Sequence, residues 1–146
     1  MANLKFTGLD EYIRQLENLT SHTTGICKMA VWEGGKVIGD AIKSSLDDIP
    51  VQDEYVRKGH MRTGVRSEEK EAIVAAFGMS KMRVDGSVST KAGFKAGTKI
   101  RAVESGTSYM QKHPVVRKAV NKSKAQAENA MKAKFEEATM KTMLGV

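Results

Sequence analysis

Apolar positions near the start of the chain recur at three- and four-residue intervals. Leu9, Ile13 and Leu16, with Tyr12 and Leu19 alongside, predict an amphipathic helix over about 9–19. Thr7 or Asp10 is placed to cap its start, and the cluster Thr20-Ser21-His22-Thr23-Thr24-Gly25 predicts its end. A longer helix is predicted over 25–46. At 100° per residue, Ile26, Ala30, Val37 and Ala41 fall in one stripe. Val31, Gly35, Ile38, Ile42 and Leu46 form a second, and the two cover roughly 200° of the circumference. Glu33, Lys36, Asp40, Lys43 and Asp47 share the remaining side. So wide an apolar arc needs partners on two sides. It belongs either to the central helix of a core or to a core helix that also meets another subunit. Gly34-Gly35 costs about 1 kcal/mol per glycine in helix propensity. The pair reads as a close helix approach in preference to a break.

From Asp47 to Arg66 the periodicity disappears. Pro50, Gly59 and Gly64 interrupt a polar stretch that holds Arg57, Lys58, His60, Arg62 and Arg66. A loop over about 48–66 is long for a compact domain, and such loops are usually functional or mobile. It reads either as a solvated loop or as an arm that orders against a partner or a polyanion. Ser67-Glu68-Glu69-Lys70-Glu71 opens a short helix over 67–77, with Ser67 as N-cap and acidic residues complementing the helix dipole. Ala72, Ile73, Ala76 and Phe77 supply its buried side, and Gly78 its C-terminal stop.

A small antiparallel sheet is predicted over about 80–97. Residues 82–89 form a hairpin turning at Asp85-Gly86, and Ala92-Gly93-Phe94 continues the second strand. Residues 99–105 give one or two helical turns around Ile100 and Val103. Pro114 then opens a long helix over 114–141. Val116, Val120, Ala127, Met131 and Ala138 share one face, with Phe135 at its margin. Opposite them Lys124, Glu128, Lys132 and Glu136 alternate in sign, which suits a solvent-facing surface. The whole chain, 1–146, reads as a single α+β domain.

Composition narrows the class. At 40% apolar and 28% charged, the chain is too apolar for a disordered segment and too charged for a membrane protein. No run approaches the ~18 apolar residues of a bilayer span, so no membrane partner is expected. Residues 1–6 lack the apolar run of a signal peptide, so the chain is expected to stay where it is made. A compact fold of 16.0 kDa exposes roughly 7,400 Å² of the roughly 23,000 Å² open in the unfolded chain. Cys27 is alone beside Ile26 and Met29, which favours packing over a reactive thiol and suits the cytosol. The net charge of +7 is uneven. Residues 1–50 carry five basic and seven acidic side chains, 51–110 eleven against seven, and 111–146 eight against three. Nucleic acid and an acidic protein surface both fit that balance.

Little in the chain points to bond-making chemistry. Gly97-Thr98-Lys99 reverses the order a phosphate loop needs, and the glycine spacing before it is wrong. Glu104-Ser105-Gly106-Thr107-Ser108 lacks the spacing of a nucleophile elbow. His22, His60 and His113 are far apart, and no cluster of Cys and His offers a zinc site. The acidic pairs Asp47-Asp48 and Asp53-Glu54 are explained by hydration or helix ends as well as by a metal. An enzyme is not expected, and no catalytic residue, metal or cofactor is assigned. With few aromatics among the basic residues, a stacking platform for single strands is poorly supported. The basic residues Arg57, Lys58, Arg62 and Arg66 remain the best candidates for phosphate contact.

Three blocks carry a family resemblance. The opening Phe6-Thr7-Gly8-Leu9-Asp10-Glu11-Tyr12 leads into a leucine-spaced helix. Thr63-Gly64-Val65 is followed by Phe77-Gly78-Met79-Ser80-Lys81-Met82. Ala102-Val103-Glu104-Ser105-Gly106-Thr107-Ser108 precedes His113-Pro114-Val115-Val116-Arg117-Lys118-Ala119. In order and spacing these blocks resemble the small neck and tail-completion proteins of tailed bacteriophages, over nearly the whole chain. Ser105 stands where that family usually has an aromatic residue, and Val115 where it has phenylalanine. Glu104, Gly106, Thr107, His113 and Pro114 are then expected to build a structural turn and the start of the last helix.

The resemblance implies a structural, non-enzymatic virion protein at the head–tail junction, assembled in the host bacterial cytoplasm. It implies a homo-oligomeric ring, hexameric by preference, beside a head-closure or connector protein and a tail terminator or tail tube protein. The apolar arc of the 25–46 helix is a candidate for the ring contact. The basic loop would face an acidic neighbouring ring or make transient contact with exiting DNA. The alternative is a small basic cytosolic DNA-binding protein.

Overall fold

The computed structural model describes residues 8–95 and 97–145; Phe6 and Thr7 of the opening block lie outside them. The fold is α+β and mostly helical. In chain order it comprises α1 (Leu9–Ser45), a 3-10 turn (Leu46–Asp48), α2 (Ser67–Ala76), and the strands β1 (Phe77–Met79), β2 (Arg83–Val84), β3 (Val88–Ser89) and β4 (Ala92–Phe94). Two further helices, α3 (Thr98–Ser105) and α4 (Val115–Leu144), complete it.

The two N-terminal helices expected from the Thr20–Gly25 cluster are one continuous helix. The hydroxyls that signalled a stop are absorbed by the helix itself. Thr20 Oγ1 donates to Leu16 O at 2.9 Å, Thr23 Oγ1 to Leu19 O at 2.8 Å, and Ser21 Oγ to Asn18 O at 2.9 Å. Back-bonding to the preceding turn removes the competition that usually drives these residues into turns. At 37 residues, α1 runs about 55 Å.

α4 lies antiparallel along α1, its start beside the end of α1 and its end beside the start. Small residues set the seam. Ile26, Ala30 and Gly34 of α1 are buried, as are Ala119, Ser123 and Ala127 of α4. A Cβ on Gly34 would collide with the Met131 side chain and sit 3.3 Å from Ala127 O, so the Gly34-Gly35 pair does mark a close approach. Neighbouring glycines serve a different partner. A Cβ on Gly35 would lie 2.7 Å from Thr90 Cγ2, and one on Gly39 2.9 Å from Met79 Sδ. The two apolar stripes of α1 are thus answered by α4 on one side and the strands on the other. The arc expected to meet another subunit is largely occupied within the chain.

The strands form two antiparallel ladders, Phe77–Met79 with Ala92–Phe94 and Arg83–Val84 with Val88–Ser89, nested around the predicted turn at Asp85-Gly86. The sheet starts three residues earlier than the predicted 80–97. Phe77 leaves the helix because its ring faces Phe94 across the ladder, with centroids 5.3 Å apart. Gly78 consequently sits in a strand and stops no helix. Leu46, Ile49, Val65, Ile73, Ile100 and Val103 form the main core, sealed by Phe77, Phe94, Met110, Val115 and Val116. This core lies at one end of the α1–α4 pair.

The α4 ladder is exposed as predicted, but among the described residues Lys124, Glu128, Lys132 and Glu136 form no ion pair. The pairs on that helix converge on Glu137, reached by Lys141 at 2.6 Å and Lys134 at 3.4 Å. These two ammonium groups, Lys141 first, hold the Glu137 carboxyl below its ordinary value.

Two glycines of α1 test this architecture in opposite directions. Gly25 has no atom within 4 Å of an added Cβ, so Gly25→Ala gains helix propensity without a clash. It should stabilise the protein by about 1 kcal/mol, raising the melting temperature by about 3 °C. A break at 20–25 would instead leave stability unchanged or reduced. Gly34→Leu forces the helices apart and should cost about 2 kcal/mol. Thermal unfolding followed by circular dichroism reads both.

Candidate functional site

Two of the three blocks that carry the resemblance, 63–82 and 102–119, meet at the core end of the molecule, while the opening block starts α1 at the other end. Gly64 is pressed against the chain leaving the 3-10 turn, and a Cβ there would stand 2.5 Å from Pro50 O and 2.7 Å from Pro50 C. Only glycine fits against a rigid backbone at that distance. The approach lets Val65 N donate to Pro50 O at 2.9 Å and Gln52 N to Val65 O at 2.7 Å. On the other flank, Arg62 N donates to Tyr109 O and Gln111 N to Arg62 O, at 2.8 and 2.9 Å. Residues 62–65 therefore pass between 50–52 and 109–111, joined to each by an isolated parallel bridge, Val65 to Val51 and Arg62 to Met110.

The five motif residues close this crossing. Glu104, at the end of α3, reaches the first turn of α4: Oε1 accepts from Val116 N at 2.6 Å and Oε2 from Arg117 N at 3.3 Å. A carboxylate there satisfies orphan amides and complements the helix dipole. Gly106 ends α3 at φ 73°, packed against Lys112 N and Met110 O. Thr107 Oγ1 accepts from Tyr109 N and Met110 N at 3.2 and 3.1 Å. His113 Nε2 donates to Thr63 O at 2.7 Å, because a carbonyl can only accept. Pro114 stands just before Val115 and takes the N-cap position of α4. Every one of these side-chain bonds ends on main chain. The arrangement holds five segments in register.

The four basic loop residues are not brought together. Arg57 and Lys58 are exposed beside Gly59 at the loop's tip. Arg62 is half-buried, and its guanidinium donates to Gln52 O at 2.8 Å. Arg66 precedes α2, its N–H donating to Glu69 Oε2 at 3.1 Å. The loop itself is anchored through Gln52 Oε1, which accepts from Thr63 N at 2.8 Å, and through Lys70 Nζ, which donates to Asp47 O and Ile49 O.

Ser67, expected to cap α2, is the first helical residue instead. Asp53 caps the helix from fourteen residues upstream, accepting from Ser67 N at 2.8 Å and from its hydroxyl. The Ser67 hydroxyl and amide, helped by Arg62 and Arg66, hold the Asp53 carboxyl below its ordinary value of 3.8. No local spacing announces such a cap; an acidic residue in a loop before a helix is the only trace.

Among the described residues no three His, Cys, Asp or Glu side chains are grouped to hold a metal ion, and no helix is long and apolar enough to cross a membrane. A groove of about 640 Å³ between the end of α1 and the start of α4 is lined by Asp48, Lys112, Lys118 and Lys122, together with Ser44 and Gln126. The far end of the molecule is a two-helix arm. No residue from Leu9 to Gly25 is buried, and Leu9, Tyr12, Ile13 and Leu16 are 49, 53, 44 and 39% exposed. Phe135, Met140 and Leu144 of α4 are exposed there too. The total accessible surface is 10,940 Å², about 1.5 times that of a compact chain of this mass. None of the family models, curated proteins or solved structures compared with this chain matches it.

Two consequences can be measured. Glu104→Ala removes the acceptor of two α4 amides and should cost about 1–2 kcal/mol, with Glu104→Gln intermediate; urea unfolding reads the order. Asp53 is depressed, so the support it gives is complete above its unfolded value near 3.8 and is lost as pH falls through the lower folded-state value. Carboxyl NMR should place its midpoint below 3.8. The Ser67 amide should lose protection, measured against its intrinsic exchange rate at each pH, over the same window, and already at neutral pH in Asp53→Ala.

Proposed function

We propose that this chain is a structural, non-enzymatic component of a tailed-phage particle, completing the tail at the head–tail junction as part of a symmetric ring. The observation that carries the reading is the shape: a clamped core end and a long arm whose apolar residues Leu9, Tyr12, Ile13 and Leu16 are exposed. Contiguous exposed apolar surface of that kind marks protein contact, and a repeated heterologous contact closes into a ring. Six-fold closure, a head-closure or connector ring on one side and a tail terminator or tail tube on the other are the neighbours this reading assigns. The family blocks support it as well, because Thr63-Gly64, Glu104, Gly106-Thr107 and His113-Pro114 meet at one crossing. Residues scattered along a sequence have a reason to keep that spacing if they act as one unit.

Duplex DNA binding by a small cytosolic protein draws on the same +7 charge. The geometry favours it less. Arg62 is engaged with Gln52, and the Asp53 carboxylate is near enough to feel the charges of Arg62 and Arg66, so that Arg57, Lys58 and Arg66 are exposed but not gathered into one free patch.

Mass spectrometry of purified particles, with antibody labelling in electron micrographs, tests the proposal. The expected result is a fixed small copy number per particle at the neck, and free heads and tails when the chain is deleted. Absence from particles, with duplex binding that persists at physiological salt and weakens steeply above it, would favour the DNA-binding reading.

A further inference from the structure

The Leu9, Tyr12, Ile13 and Leu16 side chains form one stripe on α1, and Ile13 and Leu16 floor a shallow depression beside Glu17. On helical geometry Asp10 and Glu17, seven residues apart, run along one edge of that stripe. At the opposite end of the molecule, α2 and α3 leave a groove of about 360 Å³ floored by Ala72, Ile73, Ala76, Phe94 and Ile100. Its charged lining residues are Lys95 and Lys99, with no acidic side chain among them. The chain thus carries an apolar ridge with an acidic edge at one end and an apolar groove with a basic edge at the other.

We infer that copies of this chain associate head to tail, the Leu9–Leu16 stripe of one seated in the α2–α3 groove of the next. Charge selects this pairing. Two stripes packed on each other across a two-fold axis would set Asp10 and Glu17 of one copy near those of the other, and like charges in an interface oppose association. Stripe in groove places them beside Lys95 and Lys99. Ridge and groove lie on different parts of the chain, so the contact is heterologous and propagates around an axis. The inference rests on the ring reading above and names the contact that would build it.

Sedimentation of the full chain over a range of concentrations tests the idea, alongside disulfide trapping in a Cys27→Ser background. The expected result is reversible self-association that Ile13→Asp abolishes. Asp10→Lys/Glu17→Lys and Lys95→Glu/Lys99→Glu should each weaken it about tenfold, and the four changes together in one chain should restore it. Ile13→Cys mixed with Ala72→Cys should form a mixed disulfide dimer, while Ile13→Cys alone should not. All these positions are exposed except half-buried Cys27, and all but Lys95 lie on helices; circular dichroism of each variant confirms folding. A monomer at every concentration overturns the inference, as does an Ile13-to-Ile13 cross-link. Self-association through another surface overturns the groove contact while leaving a ring possible. Absence from particles defeats the ring reading even where the groove contact forms.

Discussion

Two long helices lying side by side hold together only as well as their axes approach, and here small side chains set the approach. α1 presents Ile26, Ala30, Gly34, Val37, Ala41 and Ser45 at buried or half-buried positions, and α4 presents Ala119, Ser123, Ala127, Ala130, Lys134 and Ala138. Both series step by four, four, three, four and four. Eleven residues in three turns is close to the natural repeat of the helix, drifting slightly to the right. The seam can therefore stay on one face of each helix over a long distance. What it gains is backbone-to-backbone dispersion, summed over many contacts that bulky side chains would push apart. The cost is that thin helices packed in a pair leave their outer faces in water.

That consequence organises the rest of the molecule. Over residues 30–46 the second stripe of α1 finds a partner in the strands, through the Gly35 and Gly39 contacts with Thr90 and Met79. Beyond them the described residues supply no third layer, and the apolar pattern of residues 9–16 is exposed. The main core is built where α1 ends, and it needs the clamp because its segments are irregular. Val65 and Ile49 reach the core from a stretch with no regular secondary structure of its own. Main-chain bonds from 62–65 to both neighbours, the Gly64 contact and the His113 bond to Thr63 replace the ladder that a longer sheet would provide. Glu104 then fixes α4, and with it the seam, to the same crossing.

Much of this was legible in the sequence. The α+β class, the short helix, the Asp85-Gly86 turn, the turns around Ile100 and Val103 and the long last helix follow from periodicity and turn chemistry. The glycine pair follows from the cost a helix bears in carrying it. The false break at 20–25 has a clear cause: Ser and Thr have two ways to use a hydroxyl near a helix, and composition does not say which is taken. Phe77 was misplaced because its pairing with Phe94 is seventeen residues away, beyond the reach of local preference. Asp53 reads from the sequence as one of an acidic pair that hydration or a helix end explains, but which helix it caps depends on a contact that only the folded loop creates. The basic residues 57–66 looked like a patch because they are close in sequence, yet Gly59 reverses the chain between them and Gln52 and Asp53 engage part of their charge.

The division of charge along the chain gains meaning from the shape. The acidic excess of residues 1–50 and the basic excess of 51–110 are a matter of bookkeeping in a globule, where both ends mix over one surface. In an elongated molecule they become a polarity. The arm pairs the first half of α1, acidic in balance, with the end of α4, and the core end gathers most of the basic excess. Such a polar rod opposes alignment of like ends and favours an approach of arm to core, before any side chain is in contact. Short-range packing then needs only to choose a register within an orientation already biased by charge. A fold that leaves the start of its first helix exposed and gathers its basic excess at the other end has the two properties an assembling subunit requires: something to bury and a direction in which to bury it.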